Sequence, residues 1–114
     1  MSVRRKGDEP ALTAEQSLAL YRICQEALNN VLKHSEASRA GLEIISTEQE
    51  LLLCVWDDGR GLTAASPNET GHGVRNMKYR ADLIGASVHW LPREEGGTRV
   101  EIRLPLLQAV MASG

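Results

Sequence analysis

Residues 98–104, TRVEIRL, decide what kind of fold this chain forms. The stretch alternates apolar residues or threonine with charged residues, which are Arg99, Glu101 and Arg103. Successive side chains of a strand point to opposite faces, so the pattern predicts a strand with one face in the core and one in solvent. A sheet with one solvated face carries its helices on the other face only. The sequence therefore predicts a two-layer α/β sandwich.

Three further segments are typical of strands. Residues 40–47 (AGLEIIST) and 51–57 (LLLCVWD) are rich in aliphatic residues and are separated by a short polar turn, which predicts a hairpin. Residues 87–91 (SVHWL) form another predicted strand, and PREEGG separates it from TRVEIRL. Together with residues 98–104 these segments supply the sheet layer.

Two segments show helical periodicity instead. TAEQ, which begins at Thr13, predicts a capping box, and the helix that follows is expected to run to about His34. The apolar residues of its buried face recur at helical spacing: Leu20, Cys24, Ala27, Leu28 and Val31. A second helix is predicted from about Gly73 to Ile84, with Gly85 as its C-cap.

The chain has 114 residues, which is the size of one domain. Hydrophobic residues make up 42% and charged residues 25%, as in a soluble globular domain, which argues against wholesale disorder. We expect the domain to occupy residues 13–105. Residues 1–12 are interpreted as a tail or a severed linker, and residues 106–114 as a C-terminal tail.

Charge and apolar patterning argue against several classes of protein. A net charge of −2 does not favour general binding to nucleic acid or to an anionic membrane. No apolar run approaches the roughly 18 residues of a membrane span, and the N-terminal stretch does not resemble a signal peptide. Cys24 and Cys54 lie among apolar neighbours, which predicts buried free thiols and a cytoplasmic location.

The first predicted helix places three chemically useful side chains on one face. Glu26, Asn30 and Lys33 are spaced i, i+4 and i+7. An amide oxygen ligates Mg²⁺, an ammonium pairs with phosphate, and a carboxylate orients or deprotonates a nucleophile, so this face suits a metal-bound polyphosphate. A solvated helix face without a ligand has the same spacing, and on these residues alone both interpretations stay open.

A second group of candidates lies where the chain turns after a predicted strand. Asp57 ends the strand on the face of Leu53 and Val55, where a carboxylate needs a donor such as the exocyclic amine of a purine. Gly59 and Gly61 let the backbone approach a flat ring. A simple turn rich in Asp and Gly is the alternative.

Two glycine pairs complete the candidates. Gly71 and Gly73 precede the second helix, whose N-terminal N–H groups suit a phosphate, although a loop with two glycines needs no ligand. The pair at residues 96–97 precedes Thr98, which shares a strand face with Val100, and a hairpin turn is the alternative there.

Taken in order, these segments resemble a known family. QEALNNVLKH, DDGRG, GHGVRNMKYRADLIGA and GGTRVEIRLPL are similar to the four motifs of the ATP-binding domain of bacterial sensor histidine kinases, of the nitrate/nitrite-sensor and desaturase-sensor type. The wider group is the Bergerat-fold GHKL superfamily. The resemblance covers residues 13–105 and implies a mixed, mostly antiparallel sheet with helices on one face, which binds ATP and Mg²⁺.

The resemblance also implies a role for each matching residue. Glu26 would polarise the phosphoacceptor or its water, Asn30 would ligate Mg²⁺, and Lys33 and His34 would lie on the phosphate side. The remaining residues implied in nucleotide binding are Asp57, Gly59, Gly61, Gly71, Gly73, Asn76, Met77 and Thr98. Among them Asp57 would read adenine with support from Thr98, and Gly71 and Gly73 would lie beside the phosphates. Val74 departs mildly from the leucine that is more frequent there.

The larger departure concerns the phosphoacceptor. Nothing in the chain resembles the ERxRIARELHD-like helix that carries the phosphorylated histidine, and His34 belongs to the first motif. The resemblance therefore implies an excised or naturally isolated catalytic domain, and no nucleic-acid or membrane contact. It would phosphorylate a histidine on a separate dimerisation and phosphoacceptor domain and serve a response regulator through it. The parent would be cytoplasmic, or membrane-anchored with this part in the cytoplasm.

Two alternatives come from other functional classes. The domain would bind ATP and a partner without phosphoryl transfer if it were a nucleotide-gated interaction module, such as an anti-sigma-like regulator. A purely structural domain would bind no nucleotide.

Overall fold

The computed structural model describes residues 2–34, 38–59 and 72–106, and the side chains of all of these except 32–34 and 72–74. These residues form five strands and two helices, in the chain order β1 (Ser2–Lys6), α1 (Ala14–His34), β2 (Ala40–Ser46), β3 (Glu50–Asp57), α2 (His72–Leu83), β4 (Ser87–Pro92) and β5 (Thr98–Pro105). Every predicted helix and strand is present. Within the described ranges, no helix has the length and apolar composition needed to cross a membrane.

The strands form one sheet in the order β1-β2-β3-β5-β4. β1 and β2 are parallel, whereas the other neighbouring pairs are antiparallel. This confirms the mixed, mostly antiparallel sheet that the resemblance implied. β2 and β3 form the predicted hairpin, and β3 and β5 pair along their whole length, so the end of β3 lies beside the start of β5.

The prediction that residues 1–12 form a tail or a severed linker is wrong for residues 2–6. These residues form β1, the edge strand that pairs with β2. The sequence hides the strand because β1 is exposed along its whole length, so no alternation of apolar residues marks it. At the other end, Leu106 is buried and its N–H donates to the carbonyl of Gln49, so the predicted C-terminal tail begins with a core residue.

Both helices pack on one face of the sheet, as predicted, and the core between the layers is mostly aliphatic. Ile23 of α1, Met77 of α2 and Ile102 of β5 are fully buried. Ile23 did not belong to the apolar face predicted for α1, and it is buried more deeply than Cys24 and Leu28, which did. The buried face of the helix is therefore centred nearer to Ile23, and Glu26 and Asn30, at i+3 and i+7 from Ile23, lie at the border of that buried face.

The two cysteines are free thiols, as predicted. Burial raises the pKa of Cys24 to about 11. Burial also raises the pKa of Cys54, with a smaller opposing effect from Arg99. Both thiols are protonated at neutral pH, so neither is a ready nucleophile or metal ligand.

Local hydrogen bonds fix two helix ends that the sequence predicts. At the start of α1, the Oγ1 of Thr13 accepts from the N–H of Gln16 (3.0 Å), and the Gln16 Oε1 accepts from the N–H of Thr13 (2.9 Å), which is the predicted capping box. At the end of α2, Gly85 has a φ of +73°, and the N–H of Ala86 donates to the carbonyl of Ala81 (2.8 Å). That pattern is a Schellman motif.

The face of the sheet opposite the helices is charged, but its central acid is not solvated. Arg99, Glu101 and Arg103 lie on this face, as the alternation of β5 predicts, yet Glu101 is only 7% exposed. Both arginines contact its carboxylate, and Arg103 also pairs with Glu50 at 2.7 Å. The guanidinium groups cover the acid and offset the cost of burying it.

The capping box makes a testable contribution to stability. Thr13→Ala removes the side-chain acceptor, and we expect the free energy of unfolding to fall by about 1 kcal/mol (roughly 0.5–2). Thr13→Ser keeps a hydroxyl at the same place and should stay close to the parent protein. Urea unfolding followed by circular dichroism measures both variants, and equal stability of the Ala and Ser variants would contradict the role of the cap.

Candidate functional site

The residue at the end of β3 is a buried carboxylate. Asp57 is 5% exposed and lies directly opposite Thr98, the first residue of β5. By strand alternation Asp57 shares a face with Val55, and Thr98 shares a face with Val100, which is the face that the helices cover. The sheet therefore brings together the two residues that were predicted for the adenine end.

The protein satisfies the Asp57 carboxylate only in part. Its Oδ1 accepts from the N–H of Gly59 at 2.8 Å, and in the part of the chain that the structure describes no donor contacts Oδ2. Burial raises the pKa of Asp57, against the opposing effect of the Gly59 hydrogen bond. A carboxylate oxygen at the edge of the core, on a residue that is otherwise buried, suits a ligand that brings its own N–H donor.

The next residue, Asp58, stabilises the local fold instead. Its Oδ1 accepts from the N–H groups of Ser38 and Arg39, both at 2.8 Å, and its Oδ2 accepts from the Ser38 hydroxyl at 3.3 Å. These hydrogen bonds, chiefly the one from Arg39, lower the pKa of Asp58. Asp58 thus ties the end of β3 to the segment before β2, and Asp57 remains available to a ligand.

A close backbone contact holds the end of β3 from the other side. Gly97 has a φ of +95° and packs against the main chain of Asp57 and Asp58. A Cβ at residue 97 would overlap the carbonyl oxygen of Asp57, so this position requires glycine for both its conformation and its lack of a side chain. The glycine pair at residues 96–97 is therefore a hairpin turn and also a contact with the candidate site.

The polar face of α1 carries the second part of the candidate site. Glu26 and Asn30 lie one turn apart and are partly buried. Glu26 lines a small cavity of about 110 Å³ between α1 and α2, to which Asn76 and Met77 also contribute. Asn76 is exposed, whereas Met77 is fully buried and packs in the core as well.

The same cavity has a basic lining. Arg22 of α1 and Arg80 of α2 both contribute to it, beside the Glu26 carboxylate. Gln25 and Asn29 complete the lining. A carboxylate beside two guanidinium groups and several amides gives this cavity a polar and partly basic lining.

Part of the predicted site lies outside the described residues. Gly61 and Gly71 belong to this part. The side chains of Lys33 and His34 also lie outside, although their backbone forms the end of α1. Gly73, predicted to precede the second helix, lies in the first turn of α2, which begins at His72.

Asp58 and Arg93 were not among the predicted site residues, and Gly97 was considered only as part of the glycine pair before Thr98. Asp58 directly follows β3, and Gly97 and Arg93 contact its end. Gly97 was recognisable as one of two glycines directly before Thr98, where a close approach of two strands is plausible on spacing. Arg93 gave no signal in the sequence, because its contacts depend on the tertiary fold. Its guanidinium donates to the main-chain carbonyl of Asp57 at 3.3 Å.

A comparison with protein families finds one match that covers most of the chain. A family model described as the histidine kinase-, DNA gyrase B-, and HSP90-like ATPase matches residues 15–108. The match includes both helices and four of the strands.

Similar curated proteins are sensor proteins of staphylococci. The sensor protein VraS of Staphylococcus saprophyticus is 39% identical over 87 residues, which cover 76% of this chain and 25% of that protein. The sensor protein VraS of Staphylococcus epidermidis is 38% identical over 95 residues, which cover 83% of this chain and 27% of that protein. The chain thus spans about a quarter of the length of these relatives.

Solved structures with the same fold are also histidine kinase domains or ATP-binding domains. The histidine kinase domain from the Erythrobacter litoralis EL346 blue-light activated histidine kinase has a TM-score of 0.71 and 28% identity, covering 94% of this chain and 55% of that one. The ATP binding domain of PrrB from Mycobacterium tuberculosis has a TM-score of 0.64 and 24% identity, and the match covers 90% of this chain and 78% of that one. The second likeness shows the fold alone.

The burial of Asp57 leads to a prediction about stability without nucleotide. Asp57→Asn should raise the free energy of unfolding at neutral pH, because the amide oxygen still accepts from Gly59 and no charge is buried. Since the folded-state pKa of Asp57 is raised, the wild type loses stability as the pH rises through that pKa. The advantage of the variant should therefore be near zero at about pH 3 and grow toward about pH 7.

Asp58→Asn is the matched control, because the pKa of Asp58 is lowered. The change in the free energy of unfolding should therefore have the opposite sign. This variant should be less stable than wild type at neutral pH, and its deficit should shrink as the pH falls. Urea unfolding at a series of pH values measures both differences. An Asp57→Asn protein that is less stable than wild type at neutral pH would contradict the assigned cost of the buried charge.

Proposed function

Because the chain belongs to the histidine kinase-, DNA gyrase B-, and HSP90-like ATPase family, we propose that it is the ATP-binding catalytic domain of a sensor histidine kinase. It transfers the γ-phosphoryl group of ATP to a histidine on a separate dimerisation and phosphoacceptor domain. The observation that carries the proposal is the buried Asp57 carboxylate, which lies opposite Thr98 on the helix-covered face of the sheet.

Asp57 is proposed to read the adenine base. Its Oδ1 is engaged by Gly59, and its Oδ2 accepts from the exocyclic amine of adenine. Guanine presents a carbonyl oxygen at the same place, so two acceptors would face each other in a buried setting. Thr98, directly across the strand pair, supports the same end of the base. Gly59 and Gly61 let the main chain approach the ring.

The phosphates and their metal are assigned to the helix ends. Asn30 is the proposed protein ligand of Mg²⁺, Lys33 and His34 contact the phosphates, and Gly71 and Gly73 admit them to the start of α2. Mg²⁺ in phosphoryl-transfer sites is held by few protein oxygens together with phosphate and water. Asn30, on the partly buried side of α1, would supply one such oxygen.

Glu26 is proposed to act at the reacting end. It lies one turn from Asn30, so a carboxylate that orients the incoming imidazole would be close to the metal-bound phosphates. Arg22 and Arg80, which line the same cavity, add positive charge beside the triphosphate. The domain then works by positioning and charge neutralisation, with little covalent chemistry of its own.

The wider assembly follows from the proposed reaction. The phosphoacceptor domain hands the phosphoryl group to a response regulator, and the catalytic domain works in the cytoplasm, where ATP is available. Residues 13–105 are proposed as the catalytic unit, with β1 as an added edge strand. Neither nucleic acid nor membrane is a proposed partner of this domain.

The rival interpretation is a nucleotide-gated interaction module that binds ATP without transferring phosphate. The structural relative with 28% identity is a histidine kinase domain, which supports a kinase over a binding module. The two differ in one result, because only a kinase labels a supplied phosphoacceptor domain with the γ-phosphate.

Asp57→Asn tests the adenine assignment. Hydrogen bonds to a charged group contribute roughly 1.5–3 kcal/mol, so the variant should lose about 10- to 150-fold in ATP affinity. Its amide offers a donor or an acceptor, so the preference for ATP over GTP should also shrink. Calorimetric titration of both nucleotides measures these changes, with Asp82→Asn, the same substitution at an exposed position of α2, as a control that keeps the preference. Unchanged ATP affinity in folded Asp57→Asn protein would remove Asp57 from the site.

Glu26→Gln tests the reacting end. The variant should bind Mg²⁺-ATP nearly as wild type does and transfer phosphate about 10²- to 10⁴-fold more slowly, as expected when an orienting or basic group is lost. Radiolabel transfer to an added phosphoacceptor domain measures the rate. Glu15→Gln makes the same change in the first turn of the same helix and should transfer at the wild-type rate. Equal rates for the two variants would leave Glu26 as a solvated helix residue.

A further inference from the structure

The turn between β4 and β5 sends one arginine back to the end of β3. The Arg93 guanidinium donates to the main-chain carbonyls of Asp57 (3.3 Å) and Gly96 (3.1 Å). It also pairs with the Glu95 carboxylate at 3.1 Å. The Arg93 side chain is only 17% exposed, and its contact with the Asp57 carbonyl is partly buried, whereas the contacts with Gly96 and Glu95 are open to water.

Trp56 fixes the plane of the same guanidinium. The Arg93 Cζ lies 4.6 Å from the centroid of the Trp56 ring, which is cation–π stacking distance. The ring lies over Gly41 of β2, where a Cβ would overlap the indole. The order of the stack is therefore β2 backbone, indole and guanidinium, on the face of the sheet opposite the helices.

The base of the Arg93 side chain is fixed as well. The Arg93 N–H donates to the carbonyl of Gly97, and the Gly96 N–H donates to the carbonyl of Arg93, both at 3.1 Å. The turn is closed by its own backbone, so the side chain starts from a defined position. Since both its base and its guanidinium are held, Arg93 contacts the Asp57 main chain in a single arrangement.

We propose that Arg93 is a positioning residue of the adenine site and acts through Asp57. The proposal rests on the proposed function, in which the Asp57 carboxylate accepts from adenine. The carboxylate extends toward the helix layer, while Arg93 holds the carbonyl of the same residue from the turn between β4 and β5. Together with the backbone of Gly97, Arg93 prevents the end of β3 from rotating and carrying the carboxylate away from the base.

The proposal predicts a loss confined to the adenine end. Arg93→Ala should weaken the binding of adenosine, ADP and ATP by the same factor, about 10-fold, which is typical of losing a hydrogen bond from a charged donor. The ratio of ATP to ADP affinity should not change, whereas the preference for ATP over GTP should fall. Arg93→Lys keeps one donor but not the planar stack, so it should lose less and keep part of the base preference.

Calorimetric titration of the three adenine ligands and GTP into folded protein is the experiment, with Arg103→Ala as the matched control. Arg103 lies on the same sheet face and pairs with Glu50 and Glu101. The Arg103→Ala protein should bind every nucleotide as the wild type does. If Arg93→Ala does not fold, Arg93→Lys carries the test alone.

The outcomes separate the two proposals. Wild-type protein that binds no adenine ligand would overturn the proposed function itself. Wild-type protein that binds ATP, with Arg93 variants of equal affinity, would overturn only the positioning role. A loss found for ATP but absent for adenosine would also overturn it, because the effect would then belong to the phosphates.

Discussion

The candidate nucleotide site of this domain depends on holding the main chain of Asp57 and Asp58 at the edge of the core. β3 ends there, and the contacts that hold it come from several parts of the chain. Asp58 binds the segment before β2, Gly97 packs its bare backbone against the strand, and Arg93 donates to the Asp57 carbonyl. Because these contacts converge on the main chain, the Asp57 side chain adds only the Oδ1 hydrogen bond from Gly59 to the turn, and its Oδ2 is left for a candidate ligand.

That arrangement lowers the stability of the unliganded protein and leaves an acceptor for a ligand. A carboxylate that is 5% exposed and accepts one hydrogen bond from the described residues is costly in the unliganded protein, and the raised pKa of Asp57 expresses this cost. A ligand with an N–H donor compensates the desolvation that folding has already imposed. The neighbouring acid shows the contrast, since Asp58 has its hydrogen bonds inside the protein and a lowered pKa.

The parts of the fold that the sequence predicted are those with a local pattern. Strict alternation marked β5, the TAEQ capping box marked the start of α1, and Gly85 marked the end of α2, and each is present. β1 had no such pattern, because an edge strand exposed on all sides needs no apolar residues. Ile23 was missed for a different reason, since the spacing of apolar residues on α1 allowed more than one rotation, and only packing against the sheet selects one.

The candidate site was also predictable only where its residues follow a local sequence pattern. Asp57 and Thr98 were placed on one face by alternation, and the strand register confirms that they are direct neighbours. The contribution of Arg93 was not predictable, because it needs the β4–β5 turn folded back onto Trp56. Residues that act through main-chain contacts leave no spacing rule in a sequence, whereas residues on a regular helix or strand do.

The strand β1 also affects how the domain behaves toward other copies of itself. Without β1, the N–H and C=O groups of β2 would form an open sheet edge beside Leu42 and Ile44, which is a template for aggregation. With β1 in place, the outermost strand is short and carries Arg4, Arg5 and Lys6, and like charges on facing edges repel each other. Residues that were predicted to be a tail thus cover the sheet edge, and shortening the chain to residues 13–105 would expose it.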